Sequence, residues 1–287
     1  MAENQKMPDI NKIGVVYHPL NERAMAQARK LSERIAGMGL KHWISSAWEP
    51  KDMRAKIKGT DLVITCGGDG TILRVAQVAA EDSIPILGIN LGRLGFMTEL
   101  SAAEVDKKLP EIVAGEGWHE DRAMLDVDLH QISHRRTTRH FFALNDVVMA
   151  RGEIARIIHI TAEINSHTLT TYRADGVVIS TATGSTGYSL AAYGPVLHPE
   201  ASEFLLTPIM PHLTMHYPLV LPQRTMVKLI LHTAHLATLS IDGHTAVPLG
   251  DGDNIVVRSS GLKTRFLKLK TRDYFYRTLE QKLKEKI

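Results

Sequence analysis

The sequence predicts an α/β amino-terminal domain built on a parallel sheet, followed by a β-rich, sandwich-like carboxy-terminal domain. Three observations carry that prediction. The first hundred residues alternate strand-like and helix-like segments with short connections, the pattern of a parallel sheet covered by helices. After Trp118 the apolar residues recur at every second position in many short runs separated by turn residues. The chain is 287 residues long, about two domains at roughly 150 residues each. The domains read as 1–117, 118–262 and a basic strand and helix at 263–287 expected to pack back on the first domain.

The elements follow in order. Lys12 to Tyr17 is a strand, and Asn21 to Met38 a helix with apolar Ala24, Ala28, Leu31 and Ile35 at steps of three and four, stopped by Gly39. Leu40 to Ser45 and Asp61 to Cys66 are strands, Thr71 to Ala80 a helix, Ile84 to Ile89 a buried strand, and Ala102 to Ala114 a helix ended by Gly115. Beyond it, Met124 to Gln131 alternates Leu125, Val127 and Leu129 with Asp126, Asp128 and His130. Further strands are expected at His140 to Ala150, Arg156 to Ile164, Thr168 to Tyr172, Gly176 to Ser180, Arg224 to His232, Leu236 to Ile241, Asn254 to Ser259 and Thr264 to Lys270. Asp273 to Lys286 reads as an amphipathic helix.

Composition narrows the function classes. Apolar residues make up 44% and charged residues 23%, which is globular. The single cysteine, Cys66, allows no intramolecular disulfide and no multi-cysteine zinc site, and at the end of a buried strand it reads as a packed side chain. Met1 to Lys12 is polar, without an apolar stretch of signal-peptide length. The uncharged windows Gly176–Pro199 and Phe204–Gln223 are broken by glycines and hydroxyls in one and by four prolines in the other, so neither reads as a membrane span. A cytoplasmic protein without membrane contact is expected. Net charge is +3, with nine basic and three acidic residues in Lys263–Ile287. No nucleic-acid module accompanies that tail, so it reads as a solvated strand and helix face, as Arg135, Arg136 and Arg139 read as a solvated hairpin. The 14 histidines include no H-E-x-x-H pair, and His130 and His134 flank a strand end, where a spacing of four does not put both rings on one face. No protein metal site is expected.

The chemistry concentrates in three loops. Gly67-Gly68-Asp69-Gly70-Thr71 follows the buried strand Asp61–Cys66 and opens the next helix. Its glycines let a ligand approach the backbone, and N–H groups at a helix start form an anion site for phosphate. The carboxylate makes the loop more than a phosphate cradle, because a phosphoryl-acceptor hydroxyl needs a base beside it. The alternative is a glycine-rich turn with Asp69 as helix N-cap. The chain has no Walker A sequence and no G-x-G-x-x-G. Asn90-Leu91-Gly92-Arg93-Leu94-Gly95-Phe96 follows the next strand, and loops at strand carboxyl ends converge on one crevice in a doubly wound sheet. Thr181 to Ser189, after Asp175-Gly176 and the strand to Ser180, combines hydroxyls, glycines and Tyr188 without charge, a surface suited to a nucleotide base. The alternative is a Ser/Thr-rich loop capping a helix from Tyr188 onward, as an ordinary turn is the alternative for Asn90 to Phe96. Ala191 stands where a nucleophile elbow needs glycine, which argues against a serine hydrolase.

In their order and spacing these motifs resemble the NAD kinase family. The resemblance also rests on Leu144-Asn145-Asp146, Gly194-Pro195, His198-Pro199, Pro208 to His212, Pro218 to Val220 and Ser240-Ile241-Asp242-Gly243, and covers most of Ile13–Ser259. The glycine–aspartate loop alone is shared with diacylglycerol-type lipid kinases. The resemblance implies a diacylglycerol kinase/NAD kinase-like fold with the active site in an interdomain cleft. It implies phosphorylation of the 2′-hydroxyl of the adenosine ribose of NAD by ATP or polyphosphate, with Mg²⁺ or another divalent cation, in a homodimer or homotetramer.

Position by position, the resemblance makes Asp69 the proton acceptor, with Gly70 beside it and Gly67, Gly68, Gly70 and Thr71 as the phosphate loop. Asn145 and Asp146 would hold a ribose and Asp175 the nicotinamide end. Thr186, Gly187, Tyr188, Ser189, Leu190 and Ala191 would form the adenine region, with Tyr188 stacking. Arg156 and Arg173 would lie near the new phosphate, sometimes from another subunit, and Arg74, Thr183 and His244 complete the NAD-binding set. Asp146, Ala182, Gly187 and Tyr193 stand where the family commonly has Glu, Pro, Ala and Gly, and His244 where many members have Gln. A lipid kinase would need an apolar cleft, which the polar Thr181–Ser189 run does not offer. A non-catalytic dinucleotide sensor would have no need of Asp69.

Overall fold

The computed structural model describes residues 10–92, 95–132, 137–153 and 156–284. Expectations on Arg93, Leu94, His134, Arg135 and Arg136, and on the outer parts of Met1–Lys12 and Asp273–Lys286, lie outside the described residues. The chain divides into two compact units, one running to Asp121 and resuming at Thr264, the other spanning Arg122–Lys263.

The first unit contains β1 (Lys12–Tyr17), α1 (Glu22–Gly37), β2 (Lys41–Ser46), α2 (Pro50–Ile57), β3 (Leu62–Cys66), α3 (Asp69–Ala79), β4 (Ile86–Asn90), the short β5 (Leu100–Ser101) and α4 (Ala102–Val113). Its strands are parallel in the order β2-β1-β3-β4, with β5 beside β4. Strand order reverses between β1 and β3, so the carboxyl ends there are where an open α/β sheet binds ligands. The predicted face of α1 is the buried one: Ala24, Ala28, Leu31 and Ile35 all lie in the core. Asn21 accepts from the Ala24 N–H to start the helix, and Gly39, at φ +77°, follows its end. Ser101 and Glu104 form a capping box that starts α4. The sequence expectation omitted α2, whose cues are slight: a proline at its first turn, and Met53 and Ile57 one turn apart as its buried residues.

The second unit contains most of β6 (Trp118–Gln131), then β7 (Thr137–Ala143), β8 (Asp146–Arg151), β9 (Ile158–Ile164), β10 (His167–Ala174), β11 (Gly176–Ser180), the one-turn α5 (Tyr188–Ala191), β12 (Phe204–Ile209), β13 (Leu219–Leu221), β14 (Met226–His232), β15 (Ala237–Ile241), β16 (Thr245–Leu249) and the first part of β17 (Asn254–Lys268). One antiparallel sheet runs β13-β12-β11-β8-β15-β16. The other includes β10-β9-β14-β17 and the β6–β7 hairpin. Both contribute to one apolar core that includes Val127, Val147, Ile160, Tyr172, Val177, Leu229 and Val257, so this unit is a β-sandwich. The last part of β17 returns to the first unit, where Phe266 pairs with Ile86, and α6 (Tyr274–Lys284) closes the described chain.

Two strand expectations are corrected. Asn254–Ser259 and Thr264–Lys270 form the single strand β17, because one glycine, Gly261, is tolerated inside it. His140–Ala150 is instead broken at Leu144-Asn145, between β7 and β8. The cause is a side chain: the Asp242 carboxylate accepts the N–H groups of Leu144, Asn145 and Asp146 at 3.0, 2.6 and 3.1 Å, taking them out of any ladder.

Candidate active site

In the first unit, β3 is buried along its whole length and passes through Gly67 into Gly68, which precedes α3 without any side-chain cap. Asp69 is the first residue of α3, and its side chain turns away from its own helix. Its Oδ2 accepts the Phe96 N–H at 2.9 Å and its Oδ1 the Met97 N–H at 3.1 Å. The N-cap alternative for Asp69 therefore gives way to a bridge between the loops after β3 and β4. The half-buried carboxylate keeps a further lone pair on each oxygen for a ligand hydroxyl.

The second loop is shaped to receive it. Asn90 closes on Gly92 with two hydrogen bonds, and the Gly95 N–H reaches Thr98 Oγ1 at 3.3 Å. A Cβ at Gly95 would stand 2.2 Å from Asp69 Oδ1, so only glycine lets the carboxylate lie against this backbone. Gly67 is equally tight against Thr71 Oγ1, whereas Gly68 and Gly70 are exposed with nothing near their missing Cβ, leaving the mouth of the loop open. Arg74, one turn along α3, lies over the Trp48 ring at 5.4 Å, and Trp48 in turn sits 5.5 Å from the His18 ring. Cys66 is fully buried, and burial pushes its thiol up to about 12, out of range for a nucleophile.

In the second unit, Asn145 and Asp146 sit beside the Thr181–Ser189 loop. The Thr181 N–H reaches Asn145 O at 3.0 Å, and Thr181 Oγ1 donates to Leu144 O at 2.6 Å. Gly184 lies so close that a Cβ would stand 2.0 Å from Asn145 O. Asn145 Nδ2 donates to Asp146 Oδ2 at 3.1 Å. Gly187 faces this pair: a Cβ there would stand 3.0 Å from Asn145 Nδ2 and 3.7 Å from Asp146 Oδ2, so the glycine in place of the commoner alanine leaves room above the two side chains. Burial, reinforced by the Asp242 charge, pushes the Asp146 carboxyl up to about 7.

The loop's hydroxyls divide by exposure. Ser189 is fully buried with its Oγ 3.2 Å from Thr207 Oγ1, and Thr186 Oγ1 donates to Thr183 O at 3.3 Å, so both shape the loop. Thr183 Oγ1 is buried without a partner. Tyr188 is 45% exposed and presents its ring to solvent, Leu190 is half-buried and Ala191 exposed. His244 is half-buried, its Nδ1 3.1 Å from Asp242 O. Arg156 and Arg173 are exposed, Arg173 on β10 between the buried Tyr172 and Ala174. Tyr193 is 87% exposed, at φ +64°.

Several partners were missed by sequence reasoning. Arg151 clamps Asp175 through both carboxylate oxygens, Nε at 2.7 Å and Nη2 at 3.1 Å. The Phe96 and Met97 N–H groups are invisible to side-chain reading, although Gly95 just before them hints at close backbone approach. Asp242 enters the sequence reading only within the Ser240-Ile241-Asp242-Gly243 motif, with no sign that it holds Leu144 to Asp146.

An acid seated between two glycine-lined loops, at the carboxyl end of a parallel sheet, equips a phosphotransferase that acts on an alcohol. Comparison with known proteins specifies the acceptor. Residues 11–117 match the model of the ATP-NAD kinase N-terminal domain, and residues 144–269 that of the ATP-NAD kinase C-terminal domain. The NAD kinase of Dehalococcoides mccartyi strain BAV1 is 46% identical over 274 residues, covering 95% of this chain and 96% of the relative. That of Chloroflexus aggregans is 36% identical, covering 96% and 99%. A solved structure of yeast NADH kinase complexed with NADH superposes with a TM-score of 0.81 at 25% identity, covering 97% of this chain and 89% of that one. An NAD kinase from Archaeoglobus fulgidus in complex with ATP, at 24% identity and a TM-score of 0.73, covers 96% and 99% and shares the fold. The chain belongs to the NAD kinase family, and its reaction is the phosphorylation of NAD. No helix among the described residues is long and apolar enough to cross a membrane.

Proposed function

We propose that Asp69 is the general base of this reaction, taking the proton of the adenosine 2′-hydroxyl of NAD as the phosphoryl group of ATP arrives. The single observation that supports the role is the seating of its carboxylate: both oxygens are fixed by backbone N–H groups, yet the side chain is half-exposed. A ribose hydroxyl is a weak nucleophile at neutral pH, and a positioned base contributes about 10² to 10⁴ in rate. The first-turn N–H groups of α3, capped by no side chain, suit a phosphate oxygen beside Gly68 and Gly70.

The same reading gives the second unit the dinucleotide. Asn145 and Asp146 hold a ribose, Asp175 takes the nicotinamide end while Arg151 fixes its rotamer, and Tyr188 stacks on the adenine beside Thr183, Thr186 and Gly187. Ser189, Leu190 and Ala191 support that surface. Arg74, Arg156, Arg173 and His244 complete the set, with Arg156 and Arg173 exposed and available to a phosphate. No group of three or more His, Cys, Asp or Glu among the described residues could hold a metal ion. A Mg²⁺ ion bound to the triphosphate would neutralise charge on the transferring group. The family resemblance supports a cytoplasmic homodimer or homotetramer. The test is NADP formation from NAD with ATP and with polyphosphate as donors. Product phosphorylated at the 2′ position with ATP supports the reading, and turnover with polyphosphate alone would replace the donor.

A further inference from the structure

The second unit holds a carboxylate that the proposed reaction does not use. Asp242, at φ +50° in the β15–β16 turn, is buried, and its two oxygens accept three consecutive backbone N–H groups, those of Leu144, Asn145 and Asp146. The Asp242 N–H donates back to Asp146 O at 2.9 Å, so the two turns are tied in both directions. One carboxylate thus sets the positions of Asn145 and Asp146, and it places a second acid against Asp146 in a site sheltered from water.

We propose that Asp242 is a positioning residue for the dinucleotide, and that it shares with Asp146 one proton which the bound ribose expels to solvent. The inference rests on the reading that Asp146 holds a ribose of NAD.

The electrostatics follow from the geometry. Two carboxylates side by side in a buried site do not both ionise readily, and they titrate as a pair. Burial pushes both upward. Asp242 has three N–H donors and Asp146 one amide donor, so the pair's charge resides on Asp242 and its proton on Asp146. Other groups bear on the pair. His244, across the β15–β16 turn, favours the charged form of Asp242. Asn145 donates to Asp146, Ser180 on β11 is its strand partner, and Thr181–Ser189 contains no charged residue. The Asp146 carboxyl, at about 7, is therefore half-protonated near neutral pH in the free protein. Ribose hydroxyls arriving as donors favour the ionised form. Asp146 gives its proton to the buffer, and the diol takes its place as hydrogen-bond donor.

Titration calorimetry of NAD binding near pH 7, repeated in buffers of different ionisation enthalpy, counts the protons. NAD has no group that titrates in this range, so release of about half a proton is expected. NAD affinity should rise about tenfold from about pH 6 to about pH 8. Asp242→Asn should flatten that rise by removing the neighbouring charge. Asp146→Asn should bind NAD more weakly and release no proton. If wild type binds NAD with no proton release and no pH dependence while Asp146→Asn still weakens binding, the shared proton is refuted and the ribose contact stands. Wild-type affinity in Asp146→Asn removes the ribose contact itself.

Discussion

Asp69 and Asp242 are built alike and placed differently. Each is an aspartate whose two oxygens accept consecutive backbone N–H groups of a neighbouring loop: Phe96 and Met97 for Asp69, Leu144 to Asp146 for Asp242. The same device recurs at Glu99, whose Oε1 accepts the Leu269 and Lys270 N–H groups, and at Asp61, whose Oδ2 accepts those of Asn11 and Lys12. Exposure separates their work. Asp69 is half-exposed and keeps free lone pairs, which suits the base role proposed for it. Asp242 and Glu99 are buried, so they act by holding other groups in place.

The largest effect is expected where a buried carboxylate also carries an ion pair. Lys268 Nζ lies 3.0 Å from Glu99 Oε2, and both side chains are buried. Glu99→Ala leaves Lys268 the longer contact to Glu120 Oε1 at 3.9 Å and should cost about 3 kcal/mol in chemical denaturation. Burial alone would raise the Glu99 carboxyl, but Lys268 and the two N–H groups outweigh it and hold it below its ordinary value. Its contribution is therefore complete above the unfolded glutamate range and is lost as pH falls through the folded value. The wild type should show that acid loss and the variant should lack it.

Asp146 has the opposite sign. Its folded carboxyl, at about 7, keeps a proton that the unfolded chain has lost, so stability falls as pH rises from about 4 to about 7. Over that window Asp146→Asn should remove a loss on the order of 3 kcal/mol, measured as a flatter dependence of unfolding free energy on pH.

Gly95→Ala sharpens the comparison at Asp69. The new methyl must displace a carboxylate 2.2 Å away, and a shift of about 1 Å at a reacting group costs about a hundredfold in kcat. Equal loss in KM for NAD would instead indicate collapse of the whole loop. The smallest effect belongs to Ser189→Ala, which removes one buried hydroxyl contact to Thr207 and should cost about 1 kcal/mol in stability with KM for NAD nearly unchanged.

What was legible in the sequence was what local pattern encodes. The helix from Asn21 carries its apolar stripe, cap and stop within its own residues, and the glycine–aspartate loop declares a tight backbone, which Gly67 shows against Thr71. The long-range partners were not legible. Nothing near Leu144 foretells that a carboxylate 98 positions later will break a strand there, and the Ser240 to Gly243 motif carries the resemblance without showing what Asp242 holds. Arg151 gives no local sign that it will clamp Asp175. The hydroxyls of Thr181–Ser189 read alike in sequence, and packing alone turns Ser189 inward while leaving Tyr188 exposed.

The central claim is that Asp69 reacts while its neighbours hold it in place. Asp69→Asn keeps the side-chain size and removes the base, giving up one of the two backbone N–H contacts, so NAD affinity by calorimetry and kcat for NADP formation should be measured on the same preparation. The account predicts NAD affinity within a few-fold of wild type and kcat lower by about 10² to 10⁴. Turnover close to wild type in a variant that binds NAD normally would contradict it.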